Sequence, residues 1–154
     1  MADLDAITRA EAVSFPAAEA ASRESFASRL ESYPDRFWLM VDDGGNIVAF
    51  VNGMLTDERD LADEMYGSAH LHNAAGRWQM IFGVVTVPEH RRHGYAATLL
   101  RHVVEQCRSE HRDGLVLTCK DHLVHFYAAV GFEDEGISAS EHGGVAWHQM
   151  RLTL

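Results

Sequence analysis

The order of predicted elements indicates an α/β fold in which helices flank one mixed sheet. Two helical segments come first, a hairpin and a further strand follow, and strands then alternate with helices before a last hairpin. The strand–helix–strand order in the middle of the chain predicts one parallel crossover, which should be right-handed. The 154 residues suffice for one core, so we interpret residues 1–154 as a single domain.

Composition narrows the class of protein. The hydrophobic fraction of 47% and the charged fraction of 23% are typical of a globular chain. No apolar run approaches the roughly 20 residues that span a bilayer, so we expect no membrane partner. A net charge of −10 argues against nucleic acid as a partner. Cys107 and Cys119 have no metal-ligand spacing and are predicted to be reduced core thiols, which favours a cytoplasmic protein without a bound metal.

Two helices are predicted before the first strand. Asp3 and Asp5 favour a first helical turn, and Ser22 is a candidate N-cap for the second helix. Pro34 should end the second helix, because the residue before a proline is biased away from helical angles. The apolar side chains expected to face the core are Leu4, Ile7, Val13, Phe26, Leu30 and Tyr33.

The strands are predicted from β-branched and aromatic runs bounded by turn residues. Residues 37–41 and 47–54 flank an Asp-Asp-Gly-Gly-Asn cluster and form a predicted hairpin. Residues 78–87 are predicted to form one further strand. The remaining predicted elements are a helix that begins at Tyr95, a strand over 115–119, a helix over 123–130, and an antiparallel pair over 132–137 and 145–152 around the turn Glu141-His142-Gly143-Gly144.

The turn after residue 87 has the features of an anion-binding site. Pro88 ends the strand, and the loop Arg91-Arg92-His93-Gly94-Tyr95-Ala96 opens the next helix. Gly94 has no Cβ, so a ligand can approach its backbone closely. The first amides of a helix lack intrahelical acceptors and suit a pyrophosphate. An ordinary strand–turn–helix with solvated arginines is the alternative.

Two motifs carry a resemblance to a known family. Arg91, Gly94 and Ala96 form Arg-x-x-Gly-x-Ala, which resembles the acetyl-coenzyme A signature of the GNAT N-acetyltransferase superfamily. Tyr127-x-x-x-Gly131-Phe132, within the longer run Cys-x-Asp-x-Leu-Val-x-Phe-Tyr, resembles the arylalkylamine (serotonin) N-acetyltransferase branch. The resemblance implies a mostly antiparallel, twisted central sheet with a splayed parallel strand pair. Such domains usually begin with a strand, so we expect the first strand to be missing or to lie upstream.

The resemblance also implies how acetyl-coenzyme A would be held, with no metal. The strand backbone at Val85, Thr86 and Val87 would pair with the pantetheine amides. Arg91 would add charge near the pyrophosphate, and Tyr127 would protonate the leaving thiolate. The amides expected around the pyrophosphate are those of Arg92, His93, Gly94, Tyr95, Ala96 and Ala97.

One departure concerns the proton acceptor. The serotonin branch carries a His-x-His pair on the strand before the signature, and the matching positions here are Ile81 and Gly83, which cannot accept a proton. The candidates that remain are Glu19, between the first two helices, and the loop histidines His70 and His72. Of these, Glu19 is the leading single candidate, and a solvated loop glutamate is its alternative.

The predicted function is an acetyl-coenzyme A-dependent N-acetyltransferase. The acetyl group would pass by direct attack to a primary amine, of a small arylalkylamine-like molecule. The alternatives are a protein or peptide N-acetyltransferase and a non-catalytic acyl-coenzyme A-binding module. A small-molecule amine is therefore the expected partner, and a homodimer is left open.

Overall fold

The computed structural model describes residues 2–138, 140 and 144–154. Its first elements are α1 (Leu4–Ser14) and α2 (Arg23–Ser32), and the Ser22 hydroxyl caps α2 by accepting the Ser25 N–H at 3.1 Å. The expected core side chains are buried except Val13, which is 62% exposed. That part of the prediction is wrong because Ile7, Ala10 and Glu11 define the inward face of α1, and Val13 lies off that face.

Eight strands form two sheets in the described part of the chain. One sheet has the order β1-β2-β5, and the other has the order β3-β4-β6-β8-β7. The β4–β6 pair is parallel and the other pairs are antiparallel, as predicted for a mixed sheet with one parallel crossover. The strands are β1 (Phe37–Val41), β2 (Ile47–Asn52), β3 (Leu55–Thr56), β4 (Trp78–Ile81), β5 (Gly83–Thr86), β6 (Gly114–Cys119), β7 (Glu133–Ile137) and β8 (His148–Thr153).

The predicted single strand over residues 78–87 is wrong in one respect that matters for function. It is broken at Phe82, so that β4 pairs with β6 while β5 pairs with β2. The parallel pairing ends at Ile81 and Leu117, after which β6 continues to Cys119 beside β8. The facing edges of β5 and β6 therefore diverge and leave a wedge between the two sheets.

Helices pack against both sheets. The remaining α-helices are α3 (Glu64–Gly67), α4 (Tyr95–Ser109) and α5 (Val124–Val130), and four short 3-10 helices lie in the described connections. α4 connects β5 to β6 and buries the predicted apolar stripe, including Leu100 and Val103, in the main core.

Cys107 and Cys119 are buried free thiols, as predicted. The turn expected at 141–144 involves Glu141, His142 and Gly143, which lie outside the described residues.

Candidate active site

Two adjoining cavities occupy the wedge between β5 and β6. The first has a volume of about 370 Å³ and is lined by α1, α2, the loop between them, and Gly83. The second has a volume of about 530 Å³ and runs along β5 to the start of α4. They are called the acceptor cavity and the donor cavity after the roles expected from the sequence. Both cavities are lined by Phe15, Glu19, Val84, Leu123, Tyr127 and Trp147. These shared residues form the region where ligands from the two cavities would meet.

Tyr127 lies at this meeting point. Its side chain is 7% exposed and packs edge-on against Phe126 and Phe132, with ring centroids 5.0 and 6.1 Å away. Burial, with a smaller contribution from Cys119, raises the pKa of the Tyr127 hydroxyl above its usual value. The phenol therefore stays protonated at neutral pH and can serve as a proton donor.

The open edge of β5 faces the donor cavity. The Val87 N–H donates to the Val48 carbonyl at 3.0 Å, so the alternation of an antiparallel pair directs the backbone groups of Val85 and Val87 toward β2. The groups of Val84 and Thr86 point to the open edge. Of the three residues expected to meet pantetheine, Thr86 alone presents its backbone there, and its carbonyl already accepts from Arg91 Nε at 3.2 Å.

The loop before α4 has the geometry of an anion site. Arg92 and Gly94 both adopt left-handed backbone angles, with φ of 69° and 75°. Left-handed residues curl a loop so that its amides can converge on an anion. No side chain caps α4, whose N-cap is Gly94, and a Cβ at Gly94 would meet nothing within 4 Å. The amide N–H groups of the first turn thus face an open approach.

The charged side chains of this loop have different roles. Arg91 donates to the carbonyls of Thr86 and Ser14, so it ties the loop to β5 and to the end of α1. Arg92 and His93 are exposed, and the His93 ring stacks on Tyr95 at 5.4 Å. Both arginines line the donor cavity, but Arg91 is held by backbone carbonyls whereas Arg92 is exposed.

The Glu19 carboxylate is held in an ion pair rather than left in solvent. Its side chain is 9% exposed, and its two carboxylate oxygens lie 2.7 and 2.9 Å from Lys120 Nζ. The ion pair links the α1–α2 loop to the end of β6 across the wedge. Because both oxygens contact the ammonium group, Glu19 would have to give up Lys120 before it could take a proton from a substrate.

The structure reveals a second buried carboxylate that the sequence reasoning missed. Glu11 on α1 is 6% exposed and lines the acceptor cavity. Arg29, 3% exposed, lines the same cavity and donates to Asn52 Oδ1 at 2.8 Å and to the Tyr66 carbonyl at 2.9 Å. Glu11 follows Leu4 and Ile7 at helical spacing, so a charged residue on an apolar stripe was the available signal.

The histidine candidates are placed less favourably. His72 Nδ1 accepts the Leu55 N–H at 3.1 Å and its ring packs on Tyr33, while burial lowers its pKa. His70 is exposed, and neither loop histidine lines the two cavities. Among the described residues, no group of three or more His, Cys, Asp and Glu could hold a metal ion. Within the same residues no helix is both long and apolar enough to cross a bilayer.

The wedge between splayed strands, the open β5 edge and the uncapped start of α4 match the arrangement that the resemblance to the GNAT superfamily implied. A profile of the acetyltransferase (GNAT) family matches residues 4–132. The chain therefore belongs to this family, and the resemblance and fold class predicted from the sequence are confirmed.

One relative by sequence and two solved structures are similar to this chain. The serotonin N-acetyltransferase of Mesocricetus auratus is 30% identical over 111 residues, which are 71% of this chain and 52% of that protein. The chain thus spans about half the length of this relative.

The other two are solved structures. The GphF GNAT-like decarboxylase in complex with isobutyryl-CoA has a TM-score of 0.82 at 21% identity, over 99% of this chain and 95% of that one. The ribosomal-protein-S18-alanine N-acetyltransferase from Escherichia coli has a TM-score of 0.71 at 18% identity, over 99% and 88%. The TM-scores show that the fold is shared, and at these identities they show the fold alone.

Proposed function

We propose that this protein transfers an acetyl group from acetyl-coenzyme A to the primary amine of a small molecule. One observation carries the proposal: the donor and acceptor cavities share a wall that contains Tyr127. A thioester that enters along β5 and an amine that enters from α1 and α2 would meet beside a buried phenol. Bringing two reactants together in this way supplies much of the rate enhancement of group-transfer enzymes.

The donor side would bind through backbone groups. The amides from Arg92 to Ala97 would contact the pyrophosphate, with help from the positive end of the α4 dipole. The open edge of β5 at Val84 and Thr86 would pair with pantetheine as an added strand. The isobutyryl-CoA in the GphF neighbour supports an acyl-coenzyme A in this cavity.

The chemistry would be a direct transfer. The neutral amine attacks the thioester carbonyl carbon, the C–N bond forms and the C–S bond breaks. Tyr127 holds a proton at its hydroxyl and gives it to the leaving sulfur. Both cysteines are unsuited to a covalent route, because burial raises the pKa of each thiol to about 11.

The acceptor cavity favours a small cationic molecule with an apolar body. Its volume of about 370 Å³ lies within the usual range for small-ligand pockets. Phe15, Phe82 and Trp147 supply apolar surface. The charges of Glu11 and Glu19 are offset by Arg29 and Lys120, so the apolar wall is the main determinant of what the cavity would bind. The net charge of −10 would also attract a cation.

We further propose a cytoplasmic location, which the free buried thiols support.

An acceptor screen tests the proposal. Purified protein is incubated with acetyl-coenzyme A and arylalkylamines, aliphatic amines or short peptides, and thiol release and product mass are measured. We expect release with small amines and its loss in Tyr127→Phe. Release with peptides alone would show a peptide acetyltransferase, a class suggested by the ribosomal-protein neighbour. Coenzyme A binding without any release would show a non-catalytic module.

A further inference from the structure

The sequence contains a single lysine, Lys120, and the other 12 of its 13 Lys and Arg residues are arginines. Lys120 follows Cys119, the last residue of β6, and lines the donor cavity with 30% of its side chain exposed. The guanidinium group of an arginine stays protonated in proteins, so arginine does not offer a neutral nitrogen to an acyl donor. Lys120 is therefore the one side-chain primary amine of the chain, the functional group that the proposed reaction acetylates.

The ammonium group of Lys120 lies beside the wall that the two cavities share. Its Nζ is 2.7 and 2.9 Å from the carboxylate oxygens of Glu19, which belongs to that wall. Tyr127, another residue of the wall, lines the donor cavity together with Lys120. A thioester that reaches Tyr127 would thus lie in a cavity whose lining includes a primary amine. A nucleophile held beside a bound reactant gains a large rate advantage over a free one.

The contact with Glu19 restrains this amine. Both carboxylate oxygens contact Nζ, so the amine has to leave Glu19 before its nitrogen can reach a thioester carbon. The flexible four-carbon stem of a lysine can move the amine without a change in the backbone. The ion pair would therefore set how often the amine of Lys120 is presented to a bound donor.

We propose that Lys120 is a site of self-acetylation restrained by Glu19, an inference that rests on the proposed binding of acetyl-coenzyme A in the donor cavity. The ammonium group loses one proton to solvent, and the neutral nitrogen attacks the thioester carbonyl carbon. The C–N bond forms and the C–S bond breaks. The nitrogen loses a second proton, while the leaving sulfur takes one from Tyr127, which recovers its proton from solvent. The sum is an acetyl-lysine, a free thiol and one proton released.

The test measures acetylation of the purified wild-type protein with acetyl-coenzyme A and no acceptor. Intact mass gives the number of acetyl groups added, and peptide mapping separates Lys120 from the α-amino group of the chain. We expect acetylation of Lys120 at a rate that saturates with acetyl-coenzyme A, because the reaction starts from a bound donor. Excess coenzyme A should suppress it, since both compounds would occupy the donor cavity. Lys120→Arg should lose the side-chain acetylation.

Two further variants supply matched comparisons. Arg108 lies on the surface of α4, 56% exposed and 3.4 Å from Glu105, so Arg108→Lys adds a lysine that also has a carboxylate beside it. This added lysine lies outside the donor cavity, and Lys120 should be acetylated at least about tenfold faster in the same molecule. Glu19→Gln removes the restraining charge, so acetylation of Lys120 should become about fivefold faster. Thermal unfolding reports whether each variant is folded.

The outcomes separate this inference from the proposed function. A wild-type protein that binds acetyl-coenzyme A in calorimetry but gains no acetyl group at Lys120 overturns the inference alone. Equal rates at Lys120 and at the lysine added by Arg108→Lys, or a rate that never saturates with donor, would show solution chemistry and overturn it as well. An unchanged rate in folded Glu19→Gln overturns the restraint by Glu19. A protein that does not bind acetyl-coenzyme A overturns the proposed function, and self-acetylation with it.

Discussion

Tyr127→Phe tests the proton donor with a very small structural change. The substitution removes one hydroxyl and keeps the ring that packs against Phe126 and Phe132. Among the described residues the Tyr127 hydroxyl makes no hydrogen bond, so the free energy of unfolding should change by less than about 1 kcal/mol. The fold and the donor cavity should therefore survive.

The expected effect on chemistry is large. Loss of a positioned proton donor typically costs about 10²- to 10⁴-fold in rate. At 1.36 kcal/mol per decade, this is a barrier increase of about 3 to 5 kcal/mol. Because the ring still lines the cavity, the affinity for coenzyme A should be nearly unchanged. The loss should therefore appear in kcat rather than in donor binding.

The assay is single-turnover acetyl transfer at saturating donor, so that chemistry limits the rate. Tyr33→Phe is the matched control, because Tyr33 is a buried tyrosine outside both cavities whose hydroxyl lacks a hydrogen-bond partner in the described part of the chain. Removing that hydroxyl should leave turnover unchanged and stability equal or higher. Wild-type turnover in Tyr127→Phe would refute the assignment of the proton donor.

Three further predictions concern the loop, the ion pair and a surface histidine. Gly94→Val should weaken coenzyme A binding at least tenfold in calorimetry, because valine at φ 75° costs about 1–2 kcal/mol and crowds the amides; unchanged affinity in a folded variant contradicts the anion site. Glu19→Gln breaks the pair with Lys120 and should lower the rate about tenfold without changing the slope of the pH profile, whereas a changed slope would make Glu19 the proton acceptor. The hydrogen bond to Asp134 raises the pKa of His148. Protonated His148 therefore stabilises the folded protein at pH values below the pKa that this residue has in the unfolded chain, and the contribution is lost as the pH rises through its higher pKa in the folded state. Asp134→Asn should lower the pKa of His148 in an NMR titration. An unchanged pKa would contradict the pairing of His148 with Asp134.

The sequence alone predicted the elements whose signals are local. The α4 stripe and the cap at Ser22 depend on the spacing of residues within one segment. The motif from Arg91 to Ala96 indicated the family, which the family profile confirms. The anion site that the same motif predicts stays a prediction, and the structure adds that Arg92 as well as Gly94 has a left-handed backbone angle. Val13 shows the limit of this reasoning, since an apolar residue near a helix end does not specify which face it occupies.

The tertiary structure decided which distant residues meet. Phe82 breaks a run that looks continuous in sequence, because β4 and β5 find partners in different sheets. The Glu19–Lys120 pair joins residues 101 positions apart. Glu11 on α1 lies beside Gly83 on β5, although the two residues are far apart in the sequence. Local periodicity encodes which side of a helix is buried, but packing between elements determines what that side faces. The sequence therefore indicated the loop proposed to bind the donor, whereas the cavity proposed for the acceptor depends on the packing of α1 and α2 against the splayed strands.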